Sequence, residues 1–244
     1  MKRRNLELVD AVKQSQFFGA KVVYSPAHIE EIVNIYRTEE SDEDCDRYIR
    51  EHLEFLASLT DCWEFLPSES GSAGPGRLKQ EHPAVCLKRV IDLYELTYFA
   101  EGNETVLREY IPQSNSVPAP IDAFKDENVL KIFKNRLFLR GHREEELPYG
   151  AKLRDSHSKT AAIIDICFRS LHDAGFGLEK KSKTRSSIRD VTHAIYGTMA
   201  DIFVSGDTRM LAKLKASYKL LKADCIPMNP EEFVAYVCRN AAKA

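Results

Sequence analysis

The fold class is decided by residues 190–207, DVTHAIYGTMADIFVSGD. The first part of this stretch spaces its apolar residues as a helix does, and residues 201–205 combine β-branched and aromatic side chains as a buried strand does. Gly206 and Asp207 form a turn, and a second helical pattern follows over residues 209–221. Helix, strand and helix in this order are typical of a parallel sheet that carries helices on its faces. The stretch therefore predicts an α/β fold.

Both ends of the chain continue this alternation. Residues 5–16 predict an amphipathic helix, and residues 20–24, AKVVY, predict a buried strand that leads through Ser25-Pro26 into a helix. After the helix at 209–221, residues 225–227 predict a short strand, and a closing helix begins near Asn229. We expect a three-layer α/β/α parallel-sheet core built from residues 1–37 and 150–244.

The middle of the chain does not continue this alternation of strands and helices. Residues 83–100 and 127–138 show helical periodicity, whereas residues 68–76 read as a loop and residues 111–120 as a proline-containing linker. We interpret residues 38–149 as a mostly helical insertion.

The composition and the N-terminus argue against a membrane protein and a secreted protein. The chain has 244 residues, a net charge of −2 and 43% hydrophobic residues, an ordinary balance for a globular protein. No apolar run approaches the ~18 residues that a membrane span needs, so we expect no membrane partner. The N-terminus lacks the apolar segment of a secretory signal, and the six cysteines form no C-x-x-C pair. A reduced, cytoplasmic protein is the expectation.

Three carboxylates are placed where such a fold holds its ligands, beyond the carboxyl ends of the strands. Glu31 lies in the helix after the first predicted strand, Asp190 opens a helix, and Asp207 follows the strand at 201–205. Carboxylates that converge repel one another unless a cation neutralises them, and Mg²⁺ prefers oxygen ligands. Taken singly, each residue also has a simpler interpretation: Asp207 as a turn residue or helix cap, Asp190 as a first-turn helix acid, and Glu31 as an exposed helix carboxylate.

Residues 190–207 resemble the C-terminal half of PIN-domain nucleases. That family shows an acid at a helix start, a small residue and Asp before an apolar strand, and then Ser or Thr, one residue, and Asp. Residues 24–32, YSPAHIEEI, look like the family's second strand and helix, and residues 226–233, IPMNPEEF, look like its closing strand and helix. The resemblance covers residues 1–37 and 185–240.

The resemblance implies a metal-dependent endoribonuclease, a hydrolase of RNA phosphodiester bonds. Glu31, with Glu30 as the alternative, would hold Mg²⁺ or Mn²⁺ together with Asp190 and Asp207. Many bacterial relatives are toxins of toxin–antitoxin pairs and family members often dimerise, so an antitoxin or another protein, and a second copy of the chain, are the protein partners that it implies.

One departure from the family pattern leaves an alternative open. The family carries its first catalytic Asp at the end of an N-terminal strand, whereas residues 1–8 contain neither an apolar strand nor an Asp. Either the recorded start lies downstream of the true one, or the site lacks a ligand. The second case predicts a catalytically incomplete PIN-like module that binds RNA or protein.

Candidate nucleic-acid contacts surround these acids. Between residues 178 and 222 there are ten Lys or Arg and four acids, and phosphate backbones are held by such clusters. A solvated helix face is the competing interpretation of the lysines in residues 213–222. A structural pairing is the expectation for Asp201. The predicted nucleic-acid-binding residues are Ser205, His193, Arg209, Lys181, Lys183 and Arg185.

Overall fold

The computed structural model of the chain describes residues 3–33, 42–66, 74–98, 117–177 and 184–241. Nine helices and four strands lie in this part of the chain. They are α1 (Arg3–Phe17), α2 (Pro26–Val33), α3 (Asp42–Thr60), β1 (Trp63–Leu66), β2 (Arg77–Gln80), α4 (Pro83–Tyr98), α5 (Glu127–Leu139), α6 (His157–Asp173), α7 (Thr184–Gly197), β3 (Ile202–Val204), α8 (Thr208–Leu221), β4 (Ile226–Met228) and α9 (Pro230–Ala241). Short 3-10 turns precede α5 and α6. The described residues are therefore mostly helical and carry two small sheets.

The chain divides into two compact units, and the first contains residues 1–66, 77–109 and 234–244. Here α2, α3 and α4 pack against one another, and β1 pairs with β2 in an antiparallel hairpin. The core is formed by one buried side of each of these helices together with Tyr24. Its buried members are Tyr24, Ile29, Ile49, Leu53, Cys86 and Val90.

The second unit contains residues 67–76 and 110–233. Helix α6 lies at its centre, because it packs against α5, α7 and α8 and buries Ile163, Ile164, Cys167 and Leu171. Strands β3 and β4 pair in parallel, with Ile202 opposite Ile226. Parallel neighbours need a crossover connection, and α8 supplies it.

Most predicted elements are confirmed within one to four residues at each end. The predicted helices correspond to α1, α2, α4, α5, α7, α8 and α9, and the two predicted strands of the C-terminal part correspond to β3 and β4. The parallel pairing of those two strands is also confirmed. Most of the predicted loop at 68–76 and linker at 111–120 lies outside the described residues. Among the described helices, none is long and apolar enough to cross a membrane.

The strand predicted over residues 20–24 is wrong. Only Tyr24 pairs, through one parallel bridge to Glu64, in which the Tyr24 N–H donates to Trp63 O at 2.9 Å and the Phe65 N–H donates to Tyr24 O at 2.8 Å. Strand β1 is four residues long, and α2 begins at Pro26. The chain therefore turns away from β1 after a single paired residue. Elements of the predicted insertion, 38–149, occur in both units, and the division into core and insertion stays a prediction.

Candidate active site

Asp207 lies directly beyond the carboxyl end of β3 and begins α8. Its Oδ1 accepts hydrogen bonds from the Arg209 N–H at 2.8 Å and the Met210 N–H at 2.9 Å, so the side chain is the N-cap of the helix. The residue is exposed. A carboxylate offers about four acceptor sites, so an exposed cap retains capacity for a further donor or a cation.

Ser205 and the start of α9 complete this sheet edge. The Ser205 N–H donates to Met228 O at 3.1 Å, and the Ser205 hydroxyl accepts from the Asp207 N–H at 3.1 Å. The helix after β4 is capped as well: Glu232 N–H donates to Asn229 Oδ1, and Asn229 N–H donates to Glu232 Oε2, both at 2.8 Å. The bond from the Asn229 backbone, aided by Lys215, lowers the pKa of Glu232. Both helices therefore begin from the same edge with side-chain caps, and the cap of α9 is reciprocal.

Asp190 and His193 lie one turn apart on α7, and both are buried, with 7% of each residue exposed. Residues three apart share a helix face, so the two side chains lie on one side of α7. The prediction that Asp190 opens this helix is wrong, because α7 begins at Thr184 and Asp190 is its seventh residue. The Tyr218 hydroxyl on α8 donates to the Ala194 carbonyl at 2.6 Å in the interior. This contact fixes the helix that carries Asp190 against the helix that Asp207 begins.

The connection from α7 to β3 is held by an arginine. Arg154 donates to the Thr198 carbonyl at 3.3 Å, to the Ala200 carbonyl at 3.1 Å and to Asp201 Oδ1 at 3.1 Å. Asp201 therefore has the structural pairing that the sequence predicts. Two carbonyls of the connection after α7 and one carboxylate therefore accept from a single side chain, which stabilises the turn into β3.

The three predicted metal ligands belong to different units. Glu31 is exposed on α2 in the first unit, with Glu30 half-buried beside it, whereas Asp190 and Asp207 belong to the second unit. Among the residues that the structure describes, no group of three or more His, Cys, Asp or Glu side chains is gathered for a metal ion. Convergence of the three carboxylates stays a prediction.

The predicted nucleic-acid contacts are only partly described. Ser205 and Arg209 lie at the edge of β3 and the start of α8, and His193 is buried on α7. Lys181 and Lys183 lie outside the described residues, as does the side chain of Arg185.

The lysines of α8 have carboxylate neighbours that the sequence did not reveal. Lys215 pairs with Glu232 at 3.2 Å, Lys219 pairs with Asp122 at 2.6 Å, and Lys213 is buried, with 4% exposed. The positive charge counted over residues 178–222 is therefore partly balanced by acids from outside that segment.

The first unit contains a polar cluster that the sequence did not predict. Glu64 on β1 is fully buried, and both of its oxygens accept from Arg89 Nη2, at 2.8 and 2.7 Å. Arg89 Nη1 also donates to Glu81, which accepts from Lys79 as well. The Tyr24 hydroxyl donates to the Glu81 carbonyl at 2.8 Å, and its oxygen lies 3.3 Å from Glu64 Oε2.

Charge and burial shift the pKa values in this cluster in different directions. Burial raises the pKa of the Tyr24 phenol and of the Cys86 thiol, and the neighbouring Glu64 carboxylate raises both further. Burial opposes the ionised form of Glu81, but hydrogen bonds from Lys79 and Arg89 outweigh it and lower the pKa of that carboxyl. Cys86 therefore stays a thiol, and the cluster is a structural ion-pair network. One feature of the sequence could have indicated the cluster. Side chains alternate between the two sides of a strand, so Glu64 lies on the same buried side of β1 as Leu66.

Comparison with known proteins leaves the family open: no family model, no curated protein and no solved structure matches this chain. Membership of the PIN-domain family therefore stays a prediction.

Proposed function

We propose that the chain is a divalent-metal-dependent endoribonuclease of PIN-like type, with a three-layer α/β/α core. The observation that carries the proposal is the β3–α8–β4 unit, a parallel strand pair with an exposed carboxylate, Asp207, immediately beyond the end of β3. Ligands of open α/β sheets bind outside the carboxyl ends of the strands, where this side chain lies.

The donor set suits a hard cation, because Glu31, Asp190 and Asp207 offer only carboxylate oxygens, the ligands that Mg²⁺ and Mn²⁺ accept. A divalent ion supplies positive charge to a phosphodiester as it is hydrolysed. The chain's own residues supply the rest: Arg209, exposed at the start of α8, attracts phosphate, and the Ser205 hydroxyl holds the backbone of Asp207.

The second candidate is a PIN-like module that binds RNA or protein without cleaving it. Two observations favour it. The Asp207 carboxylate already serves as a helix cap, and the described part of the chain gathers no three-residue metal group. The six cysteines are all free, which supports a reduced, cytoplasmic setting for either candidate.

Cleavage of a labelled single-stranded RNA by the full chain, with Mg²⁺, with Mn²⁺ and with EDTA, separates the two candidates. We expect metal-dependent cleavage that Asp207→Asn slows by roughly 100-fold, a loss of the size seen when groups that orient a metal are removed. Asn caps a helix as well as Asp does, so this variant loses the charge and keeps the fold. Asp224→Asn, at an exposed acid of the same unit, is the matched control.

The outcomes are distinct. Cleavage that Asp207→Asn, Asp190→Asn and Glu31→Gln all leave unchanged contradicts the proposed site. RNA that is bound but intact under every metal condition supports the non-catalytic module. A toxin role, with an antitoxin partner or a homodimer, belongs to the same proposal and is tested by light scattering of the purified chain and by co-purification from its native host.

A further inference from the structure

A surface of the second unit combines exposed aromatic rings with lysines. We name it the basic–aromatic strip and define it as Lys134, Phe138, Tyr149, Lys219 and Lys222. Phe138 is 81% exposed and lies one turn after Lys134 on α5, so the two side chains are neighbours on one helix face. Tyr149 is 37% exposed.

Glu144 links Lys134 to Tyr149, and Lys222 lies beside the Tyr149 ring. Lys134 Nζ lies 3.0 Å from Glu144, and the pKa of Tyr149 is raised by burial and by the Glu144 charge while the Lys134 charge opposes it. Tyr149 is therefore within electrostatic reach of that ion pair. Lys222 Nζ lies 5.9 Å from the centre of the Tyr149 ring, and Lys219 is three residues before Lys222.

The backbone holds Lys222 where glycine is the usual residue. Lys222 ends α8 with φ 52° and ψ 38°, the left-handed conformation that costs a side-chain-bearing residue energy and that glycine adopts freely. Gly150 has φ +59°, and a Cβ built on it would lie 3.5 Å from the Lys222 carbonyl, so the turn after Tyr149 packs directly against this strained residue. A lysine with this backbone conformation therefore lies beside the Tyr149 ring.

The lysines of the strip are paired with carboxylates that a phosphate can replace. Lys134 pairs with Glu144, and Lys219 pairs with Asp122 at 2.6 Å; each of these side chains is 43–50% exposed. Exposed ion pairs of this kind contribute little to stability. A phosphate oxygen can therefore take Lys134 at little cost in stability. If it takes Lys219, Lys125 at 3.4 Å remains as a cation for the buried Asp122 Oδ1.

We propose that the basic–aromatic strip binds single-stranded nucleic acid, with Lys134, Lys219 and Lys222 contacting phosphates and with bases stacking on Tyr149 and Phe138. Rings interleaved with cations fit this ligand because every base has a face that stacks on an aromatic ring while the backbone follows the positive charge. An acidic protein segment would use the lysines alone. The strip shares no residue with the predicted metal ligands, so the inference goes beyond the proposed catalytic function.

Fluorescence anisotropy of a short labelled oligouridine RNA, with the full chain in EDTA and at several salt concentrations, tests the strip. Lys134→Gln with Lys222→Gln is expected to reduce the slope of log K against log salt by about 1.4, since each phosphate contact on a single strand contributes about 0.7. Tyr149→Ala is expected to weaken binding about tenfold, and Tyr149→Phe, which keeps the ring, to retain affinity.

Lys13→Gln, at an exposed lysine of α1 in the first unit, is the control for a lysine outside the strip, and we expect it to leave the salt slope unchanged. Lys222→Gly separates function from folding, because it relaxes the left-handed backbone: we expect a higher melting temperature together with weaker RNA binding. A salt slope no different from that of Lys13→Gln overturns the proposal. Competition by polyglutamate equal to that by RNA also overturns it, and points to an acidic protein instead. Because EDTA prevents metal-dependent cleavage, failure here leaves the nuclease proposal untouched.

Discussion

Asp207 is the N-cap of α8 and also a proposed metal ligand, and different substitutions can separate these two roles. Its Oδ1 accepts two backbone N–H groups at the start of α8. We expect Asp207→Ala to lower the free energy of unfolding by about 1 kcal/mol, because the two donors lose their acceptor. Asp207→Asn and Asp207→Ser keep an acceptor and should leave stability nearly unchanged. Urea denaturation of the three variants measures this, and equal losses in all three would show that the cap contributes nothing.

Arg89 is the residue on which the polar cluster of the first unit depends. Arg89→Met leaves the Glu64 carboxylate fully buried without its cation, and we expect a loss of about 3 kcal/mol in the free energy of unfolding. Lys79→Met, which removes the other cation from Glu81, is the control and should cost much less, because the Lys79 side chain is 45% exposed.

The double variant Glu64→Gln/Arg89→Met distinguishes charge from packing. Neutralising Glu64 removes the unpaired buried charge, so the double variant should be more stable than Arg89→Met alone. A double variant that is less stable than the single one would mean that Arg89 acts through its packing and not through its charge.

Gly197 sets the spacing between α7, β3 and α8. A Cβ at this position would lie 2.6 Å from the Tyr218 hydroxyl oxygen and 2.9 Å from the Phe203 ring. Tyr218 cannot move freely, because its hydroxyl donates to Ala194 O. We expect Gly197→Ala to lower the free energy of unfolding by about 2 kcal/mol through overpacking. Gly206→Ala, where a Cβ would meet nothing within 4 Å, is the matched control in the same thermal melts.

Helices and strands can be predicted from the sequence where the residue patterns that indicate them are local. The helical periods of residues 127–138 and 209–221 place α5 and α8 within two residues of their observed ends, and the apolar run at 202–204 marks β3. The strand expected at 20–24 fails because a strand needs a partner, and β1 offers pairing to Tyr24 alone. Strand propensity reports a suitable residue type, whereas pairing is decided by distant chain segments.

The pH dependence of stability is a property of the whole molecule. Burial lowers the pKa of His157 and of His172 below the value of 6.5 that these groups have when unfolded, and the Lys213 charge adds to the effect at His172. Between the two values the unfolded chain binds more protons than the folded one. Stability that is fully present above the unfolded pKa is therefore lost as the pH falls through the folded pKa.

We expect His157→Gln and His172→Gln each to flatten the dependence of melting temperature on pH between about pH 7.5 and about pH 5. His142→Gln controls for the removal of an imidazole. If the two variants keep the slope of the parent chain, the acid sensitivity comes from other groups, such as the paired carboxylates Glu81 and Glu232.

For the candidate site, as for the fold, the sequence predicts positions along the chain but not the contacts between distant residues. The sequence places Asp207 beyond a strand, as observed. It also places Asp190 at the start of a helix, whereas α7 begins at Thr184 and Asp190 is its seventh residue. The simpler interpretation of Asp207 as a helix cap is confirmed. The sequence could not foresee that Asp190 is buried, or that Lys215 and Lys219 pair with acids from other segments. Each of these depends on a neighbour supplied by folding.

By itself, the sequence determined where this chain forms helices and that β3 and β4 run parallel, because periodicity, caps and a single crossover helix act over a few residues. Only the tertiary structure decided which charges are buried and which meet. Glu64 finds Arg89 25 residues away and Tyr24 40 residues away, and Lys222 reaches Tyr149 across the second unit. Such pairings depend on chain closure over long separations and on the exclusion of water, and neither leaves a periodic trace in the sequence.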